Sequence, residues 1–310
     1  MVNKSHYSIL VTGGTGFVGL HLIKKLLQVD FRVHLITRIN SNLKQFSEHE
    51  LDRLNIHEFN GSYVCMDEIV KEVKPDVVIH LASLYITEHQ SEDISALINS
   101  NIQLGTILVE AMAKNNCFKL INVGTSWQHY NNDSYNPVNL YAATKQAFED
   151  ILHYYTEAHS LKVITIKLFD TYGPGDNRRK LLTLLYDVAI GKKTLNMSKG
   201  EQYINLVYID DVVDAFLCMI ERINGQKELS SRESFVISSE EVIRLSDFVK
   251  LFEELVGLKV NVQFGAKEYR LREVMLPWNN GECVPGWSQK YNLIQGLNET
   301  LKSIQKENIK

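Results

Sequence analysis

The chain has 310 residues, of which 45% are hydrophobic and 23% charged, with a formal net charge of −4 at pH 7. The length allows two domains or one large α/β unit with an appendage, and the composition is ordinary for a globular protein. No basic face is visible for nucleic acid, and no apolar run approaches the roughly 20 residues of a membrane span, so neither partner is expected.

The four cysteines, Cys65, Cys117, Cys218 and Cys283, are far apart, with no Cys-x-x-Cys and no His-x-x-x-His pair. Reduced thiols are expected, without disulfides or a metal site. Met1–His6 leads into the first apolar run without an apolar signal core, so a cytoplasmic protein is expected.

Strand and helix patterns alternate from the start. Ser8–Thr12 reads as a strand and Phe17–Gln28 as an amphipathic helix, with a glycine loop between them. Gly13 allows a tight turn, Gly16 lets a pyrophosphate approach the backbone, and Gly19 lets helix and strand pack closely. The free N–H groups and positive dipole end of such a helix favour phosphate. A plain strand-to-helix turn is the alternative, but the flanking strand and helix favour a nucleotide site.

Further strands are expected at Arg32–Thr37, Ile56–Phe59, Val77–Leu81, Lys119–Val123 and Lys162–Lys167. Helices are expected at Met66–Val73, Ser91–Lys114 and Leu140–His159. Repeated βα units predict an α/β fold, a Rossmann-type doubly wound parallel sheet, with ligands beyond the carboxyl ends of its strands. The reading places a dinucleotide-binding domain at residues 1–168. A smaller, mainly substrate-binding α/β portion follows at 169–310, with the chain crossing back to the sheet.

The second strand ends in Thr37-Arg38. An NAD site usually carries an acid here for the ribose hydroxyls, whereas the Arg38 guanidinium suits a 2′-phosphate. NADP(H) is therefore expected, with NAD(H) as the alternative. Asn60-Gly61-Ser62 follows the third strand where the adenine edge would lie, which adds Ser62 to the cofactor set. The fourth strand ends in Leu81-Ala82-Ser83, and small residues there let a ribose lie close to the backbone. His80 lies within that strand and reads as a core histidine.

Tyr141 and Lys145 are four residues apart at the start of a long helix pattern, on one face. A phenol titrates near ~10, and a nearby ammonium is expected to lower that value. The pair then serves as general acid for a carbonyl oxygen or general base for a hydroxyl. Upstream, the strand at Lys119–Val123 runs into Gly124-Thr125-Ser126-Trp127-Gln128, which offers a hydroxyl for the same oxygen.

Taken together, these motifs resemble the extended short-chain dehydrogenase/reductases, in particular the NAD(P)-dependent nucleotide-sugar epimerase/dehydratase group. The resemblance covers nearly the whole chain. It rests on Thr12–Gly19, Asp76–Ala82, Asn101–Thr106, Tyr141–Lys145, Phe169–Gly175, Tyr208–Val213 and the closing Gly286-Trp287. It implies a catalytic set of Ser126, Tyr141 and Lys145, with Thr125 as the alternative hydroxyl and Lys145 also bonding the nicotinamide ribose. It implies a cofactor set of Gly13, Thr15, Gly16, Phe17, Val18, Arg38, Ser62, Leu81, Ala82, Ser83, Tyr141, Lys145 and Leu168.

Family dehydratases carry an Asp-Glu pair directly after the catalytic hydroxyl. Here those positions are Trp127 and Gln128, which cannot transfer protons, so dehydration is not expected. The missing acid at the second strand favours NADPH and therefore a reductase. Gly124–Tyr130 looks like bacterial reductases that finish deoxysugar nucleotides. The implied reaction is reduction of the 4-keto group of a dTDP- or CDP-linked 4-keto-6-deoxysugar. A 4-epimerase with tightly bound NAD is the alternative. An NADP-sensing module would usually lack Tyr141 or Lys145. A reductase of non-nucleotide carbonyls is opposed by the Gly-Pro-Gly segment and Arg270.

The implied substrate set is Tyr85, Ser126, Trp127, Gln128, Asp170, Lys180, Asn205 and Arg270, with Arg178 and Arg179 as further candidates. Asp170 stands where the family has Asn, and an ionised Asp cannot donate a hydrogen bond. Ile204 stands where the family often carries a phosphate-binding Arg, and Arg270 matches a second such position. The helices at Ser91–Lys114 and Leu140–His159 imply a homodimer.

Overall fold

A computed structural model describes residues 7–178, 180–191, 193–225 and 230–307; Met1–His6 and Arg179 lie outside the described residues. The first half runs β1 (Ser8–Thr12), α1 (Phe17–Gln28), β2 (Arg32–Arg38), α2 (Glu48–Asp52), β3 (Leu54–Phe59), α3 (Tyr63–Val73), β4 (Val77–His80), α4 (Asp93–Ile98), α5 (Leu104–Lys114), β5 (Lys119–Thr125), α6 (Leu140–His159) and β6 (Lys162–Leu168). Then follow β7 (Asp170–Tyr172), α7 (Leu181–Gly191), β8 (Leu195–Met197), β9 (Tyr203–Ile204), β10 (Leu206–Tyr208), α8 (Ile209–Gly225), β11 (Arg232–Ile237), β12 (Ile243–Arg244), α9 (Leu245–Val256), β13 (Val262–Phe264) and α10 (Leu293–Glu307).

Seven strands form one sheet in the order β11-β6-β5-β4-β1-β2-β3, and every pairing in it is parallel. The order reverses between β1 and β4, the switch point at which such sheets bind ligands. Residues beyond 168 return to the sheet as β11, which pairs with β6 from Val163 to Leu168. Three two-stranded sheets, β7 with β10, β8 with β13 and β9 with β12, stand apart from that sheet.

Successive strand residues face opposite sides of the sheet. Ile9 and Val11, with Ile79 and Ile121, pack against Leu22, Leu26, Phe216 and Met219 from α1 and α8. Leu10, Val78 and Leu120 point the other way, onto Leu108, Met112, Phe148 and Leu152 from α5 and α6. Both faces are covered, which is why these strands read as near-continuous apolar runs.

Helix α6 follows its sequence pattern. The Asn139 side chain accepts from Ala142 N at 3.0 Å to cap its start, and Ser160 ends it in the left-handed region. The expected helix at Ser91–Lys114 is not continuous. It starts at Asp93 and widens into a π turn at Asn99–Gln103 before α5. The buried Asn101 sits in that turn. Its Oδ1 accepts from Leu84 N at 2.7 Å and its Nδ2 donates to Leu84 O at 3.0 Å. A π turn of this kind often marks a functional site. α3 begins at Tyr63 rather than Met66, because Ser62 caps it from Cys65 N. Among the described residues no helix is long and apolar enough to cross a membrane.

Candidate active site

The glycine loop after β1 is shaped by close backbone contact. Gly13 has φ +75°, and a Cβ there would lie 2.4 Å from Ala82 N, so only glycine fits. Gly16 precedes α1 without any side-chain cap, and the first turn carries no acid. The first helical bond runs from Leu20 N to Gly16 O at 2.8 Å, which leaves the Phe17, Val18 and Gly19 amides ahead of it. The loop therefore fits a dinucleotide diphosphate.

Gly13, Gly16, Phe17 and Val18 line a cleft of about 400 Å³ together with Leu81, Ser83, Ser126, Tyr141, Lys145 and Leu168. Thr15 flanks it, its carbonyl accepting from Gln45 Nε2 at 3.0 Å. Ala82 lies under Gly13, and its N–H donates to Thr12 Oγ1 at 3.3 Å. His80 is a core residue. Its Nδ1 pairs with Thr12 Oγ1 at 2.8 Å, and its Nε2 has no partner among the described residues.

Tyr141 and Lys145 open on the cleft from the first turns of α6. Lys145 is only 2% exposed. Burial pushes its ammonium down to about 8, with the Glu149 carboxylate working against that. Burial pushes the Tyr141 phenol well above its ordinary value, with the Ser83 hydroxyl pulling the other way. This corrects the expectation that Lys145 lowers the phenol. Both groups are desolvated, so each favours its neutral form. The phenol holds its proton at neutral pH.

Ser126 is buried, and its hydroxyl has no hydrogen-bond partner among the described residues. The alternative, Thr125, has its hydroxyl occupied as acceptor from Trp127 N at 3.3 Å. Both residues line the cleft; Thr125 keeps its O–H free to donate, and Ser126 has neither its donor nor its acceptor sites engaged among the described residues.

A second cleft of about 820 Å³ adjoins the first and is lined by Tyr85, Trp127, Asp170, Arg178, Lys180 and Arg270. The Tyr85 ring meets Tyr141 edge-on at 5.1 Å and tilts against Trp127 at 5.7 Å. Lys180 pairs with Asp170 at 2.8 Å. Burial works to raise the Asp170 carboxyl, but Lys180, Arg178 and Arg270 outweigh it and hold it below the usual carboxylate range. Arg270 makes a two-pronged contact with Glu273, at 2.6 and 2.8 Å, and lies 5.6 Å over Trp127.

Other expected residues lie elsewhere. Gln128 is fully buried and turned from both clefts. Its amide nitrogen donates to Gln146 and Glu149, at 2.8 and 2.9 Å, and its oxygen accepts from Thr125 N. It braces the wall behind Ser126 and does not face a substrate. Asn205 borders a third recess, but its amide is engaged with the Ser239 main chain in both directions at 2.8 Å. The Ser62 hydroxyl caps α3. Arg38 is exposed at the end of β2, its side chain without a partner among the described residues.

One group escaped the sequence reading. Lys167 lies in β6, 5% exposed, and its Nζ donates to His129 Nε2 at 2.8 Å. Glu149 is 3.6 Å away. Burial and the Lys167 charge push His129 down to about 4, so the ring is neutral, and it stacks on Trp278 at 3.8 Å. His129 and Trp278 wall the third recess beside Arg270. The available signal was a lysine inside an apolar strand, Ile164-Thr165-Ile166-Lys167-Leu168.

Residues 9–237 match the model of the NAD dependent epimerase/dehydratase family. The chain is 28% identical over 271 residues to a CDP-abequose synthase of Yersinia pseudotuberculosis, covering 87% of this chain and 91% of that one. It is 25% identical to a CDP-abequose synthase of Salmonella typhimurium, covering 96% and 98%. Its fold is that of a UDP-glucose 4-epimerase of Thermotoga maritima in complex with UDP-glucose, with a TM-score of 0.84 at 22% identity over 97% of this chain and 99% of that one. It is also that of a UDP-glucuronic acid 4-epimerase of Bacillus cereus in complex with UDP-glucuronic acid and NAD, with a TM-score of 0.83 at 21% identity over the same shares. The glycine cradle, the Tyr-x-x-x-Lys pair on α6 and a match that spans the whole sheet agree: the chain is an enzyme of the NAD dependent epimerase/dehydratase family.

Proposed function

We propose that this enzyme reduces the 4-keto group of a nucleotide-diphospho-4-keto-6-deoxysugar, CDP- or dTDP-linked, with NADPH as the preferred reductant. The observation that carries the reading is that Tyr141, Lys145 and Ser126 line one cleft together with the glycine loop. A phenol at the cofactor cleft can give its proton to a carbonyl oxygen, and Ser126 in the same cleft can donate a hydrogen bond to it.

The diphosphate of the dinucleotide would rest on the amides after Gly16, with Lys145 at the nicotinamide ribose and Arg38 at a 2′-phosphate. When bound there, the reduced cofactor supplies the two electrons and the hydrogen that C4 receives. Tyr141 donates its proton to the 4-keto oxygen, so that a C–H and an O–H bond replace the carbonyl π bond. Ser126 donates a hydrogen bond to the same oxygen and orients it. Donors fixed at a developing alkoxide account for much of the acceleration in such reactions.

Trp127 and Gln128 supply no carboxyl to take a proton from C5, which supports reduction over dehydration. Tyr85, Trp127, Asp170, Lys180 and Arg270 would hold the sugar nucleotide, the last two at its phosphates. Residues 1–168 would thus carry the cofactor and 169–310 most of the substrate. Exposed Ile94, Ile98 and Tyr154 on α4 and α6 support a homodimer through these helices.

The test is a spectrophotometric one. NADPH is offered with CDP- and dTDP-linked 4-keto-6-deoxyhexoses, and absorbance is followed at the reduced-nicotinamide band. Oxidation with at least one of them is expected, and none with any of them contradicts the reading.

A further inference from the structure

The segment after β7 is fastened to the cofactor helix. His21 on α1 contacts the Pro174 carbonyl through Nε2 at 3.0 Å. Gly173 packs so closely on Ile209 that a Cβ would come within 2.3 Å of that side chain. Gly175, at φ +72°, then turns the chain so that Arg178 returns over α1. The Arg178 guanidinium lies 4.2 Å from the centre of the Phe17 ring. Phe17 is the first residue of α1, and its amide belongs to the cradle described above.

The guanidinium is held in a fixed plane. Nε donates to Asp176 Oδ1 at 2.6 Å and Nη2 to Asp176 Oδ2 at 2.7 Å. Nη2 also donates to the Thr171 carbonyl at 2.9 Å. Nη1 has no partner among the described residues, which leaves two donors of the fork open. Arg178 borders the same cleft as Gly13, Gly16 and Phe17. Gly13–Val18 contains no cation, so the loop offers backbone amides and a helix dipole but no full positive charge.

We propose that Arg178 is a cofactor-binding residue whose Nη1 donates to the diphosphate of the bound dinucleotide. Asp176 and Thr171 act as its positioning partners. This inference rests on the dinucleotide reading given above and adds to it a contact from the substrate half of the chain. A planar, pre-oriented guanidinium loses little freedom on meeting a phosphate oxygen, and hydrogen bonds between charged partners are about twice as strong as neutral ones. The same segment ends in Lys180 at the sugar cleft, so cofactor and sugar sites share one strap.

Direct binding tests it. NADPH and NADH are each titrated by calorimetry into the wild-type protein, R178Q and D176N/R178Q. The double variant leaves no orphaned carboxylate, and its fold is checked by circular dichroism. Loss of one charge-assisted hydrogen bond predicts a Kd raised about 10- to 100-fold. The factor should be the same for both cofactors, because the diphosphate is common to them. R178K should recover part of the loss. An unchanged Kd in a folded variant overturns the proposal. So does a loss confined to NADPH, which would assign Arg178 to the 2′-phosphate, or a change only in the KM for the sugar nucleotide. A wild-type protein that binds neither cofactor would instead overturn the dinucleotide reading itself.

Discussion

Asn101 joins the loop after β4 to the helix that carries Tyr141 and Lys145, and Asn101→Ala removes that joint. The side chain is 1% exposed and makes four hydrogen bonds. Its Oδ1 accepts from Leu84 N at 2.7 Å and Ser83 Oγ at 3.3 Å, and its Nδ2 donates to Leu84 O at 3.0 Å and Thr144 Oγ1 at 2.9 Å. Each such bond contributes roughly 1 kcal/mol net, and each buried group left without a partner costs about 1–3 kcal/mol. Because the bonds share one side chain they are not independent, so the loss is roughly 4 kcal/mol in total. An unfolding entropy of about 2.1 cal/mol/K per residue makes roughly 0.65 kcal/mol/K for this chain, hence a Tm lower by about 6 °C. Differential scanning calorimetry reads this directly. Asn101→Asp should not rescue, because a carboxylate would face the Leu84 carbonyl and cannot donate to it. A Tm for Asn101→Ala within about 1 °C of wild type would refute the reasoning, since it would mean that the network contributes less than a single ordinary hydrogen bond.

Replacing Tyr141 by Phe should lower kcat by about 10²–10⁴-fold while calorimetric cofactor affinity is retained; wild-type turnover would remove Tyr141 from its role. Lys145 titrates near 8 in the fold against ~10.4 unfolded, so its buried charge destabilises the protein below pH 8 and that penalty is relieved as pH rises toward 10. Lys145→Met should therefore raise the stability of the cofactor-free protein at pH 7 by roughly 1–3 kcal/mol in urea unfolding, though it abolishes turnover. A wild-type stability that falls between pH 8 and 10 would contradict this sign. Gly13→Ala should cost more than about 2 kcal/mol, since left-handed strain adds to a clash with the Ala82 backbone. An unfolding midpoint equal to wild type would show that the loop can shift.

Much of the fold could be read from period and punctuation. The apolar strands β1, β2 and β4–β6 are short runs between amphipathic segments, and α1 and α6 carry a clear stripe on one side. The short strands β7–β10 and the seventh sheet strand, β11, were not legible, because each is held by a distant partner rather than by its own pattern. The π turn at Asn101 escaped for the same reason: Leu84, 17 residues away, draws the amide inward. At the site, Tyr141 and Lys145 follow from helical spacing alone. Their protonation does not, since it depends on burial that a spacing cannot report. Gln128 lies beside Ser126 in sequence, yet the short 3₁₀ turn at Ser126–Gln128 swings its amide to Gln146 and Glu149 on α6. Adjacency in the chain fixes no side-chain direction once the strand ends.

The most direct test of the proposed reaction is its stoichiometry. A CDP- or dTDP-linked 4-keto-6-deoxyhexose is incubated with excess NADPH, and oxidised cofactor and sugar product are both counted, the latter by NMR. The account predicts one NADPH oxidised for each new C4–H formed, with the cofactor exchanging freely between turnovers. Interconversion of C4 epimers without net NADPH oxidation, by protein that retains NAD through gel filtration, would contradict it and identify an epimerase.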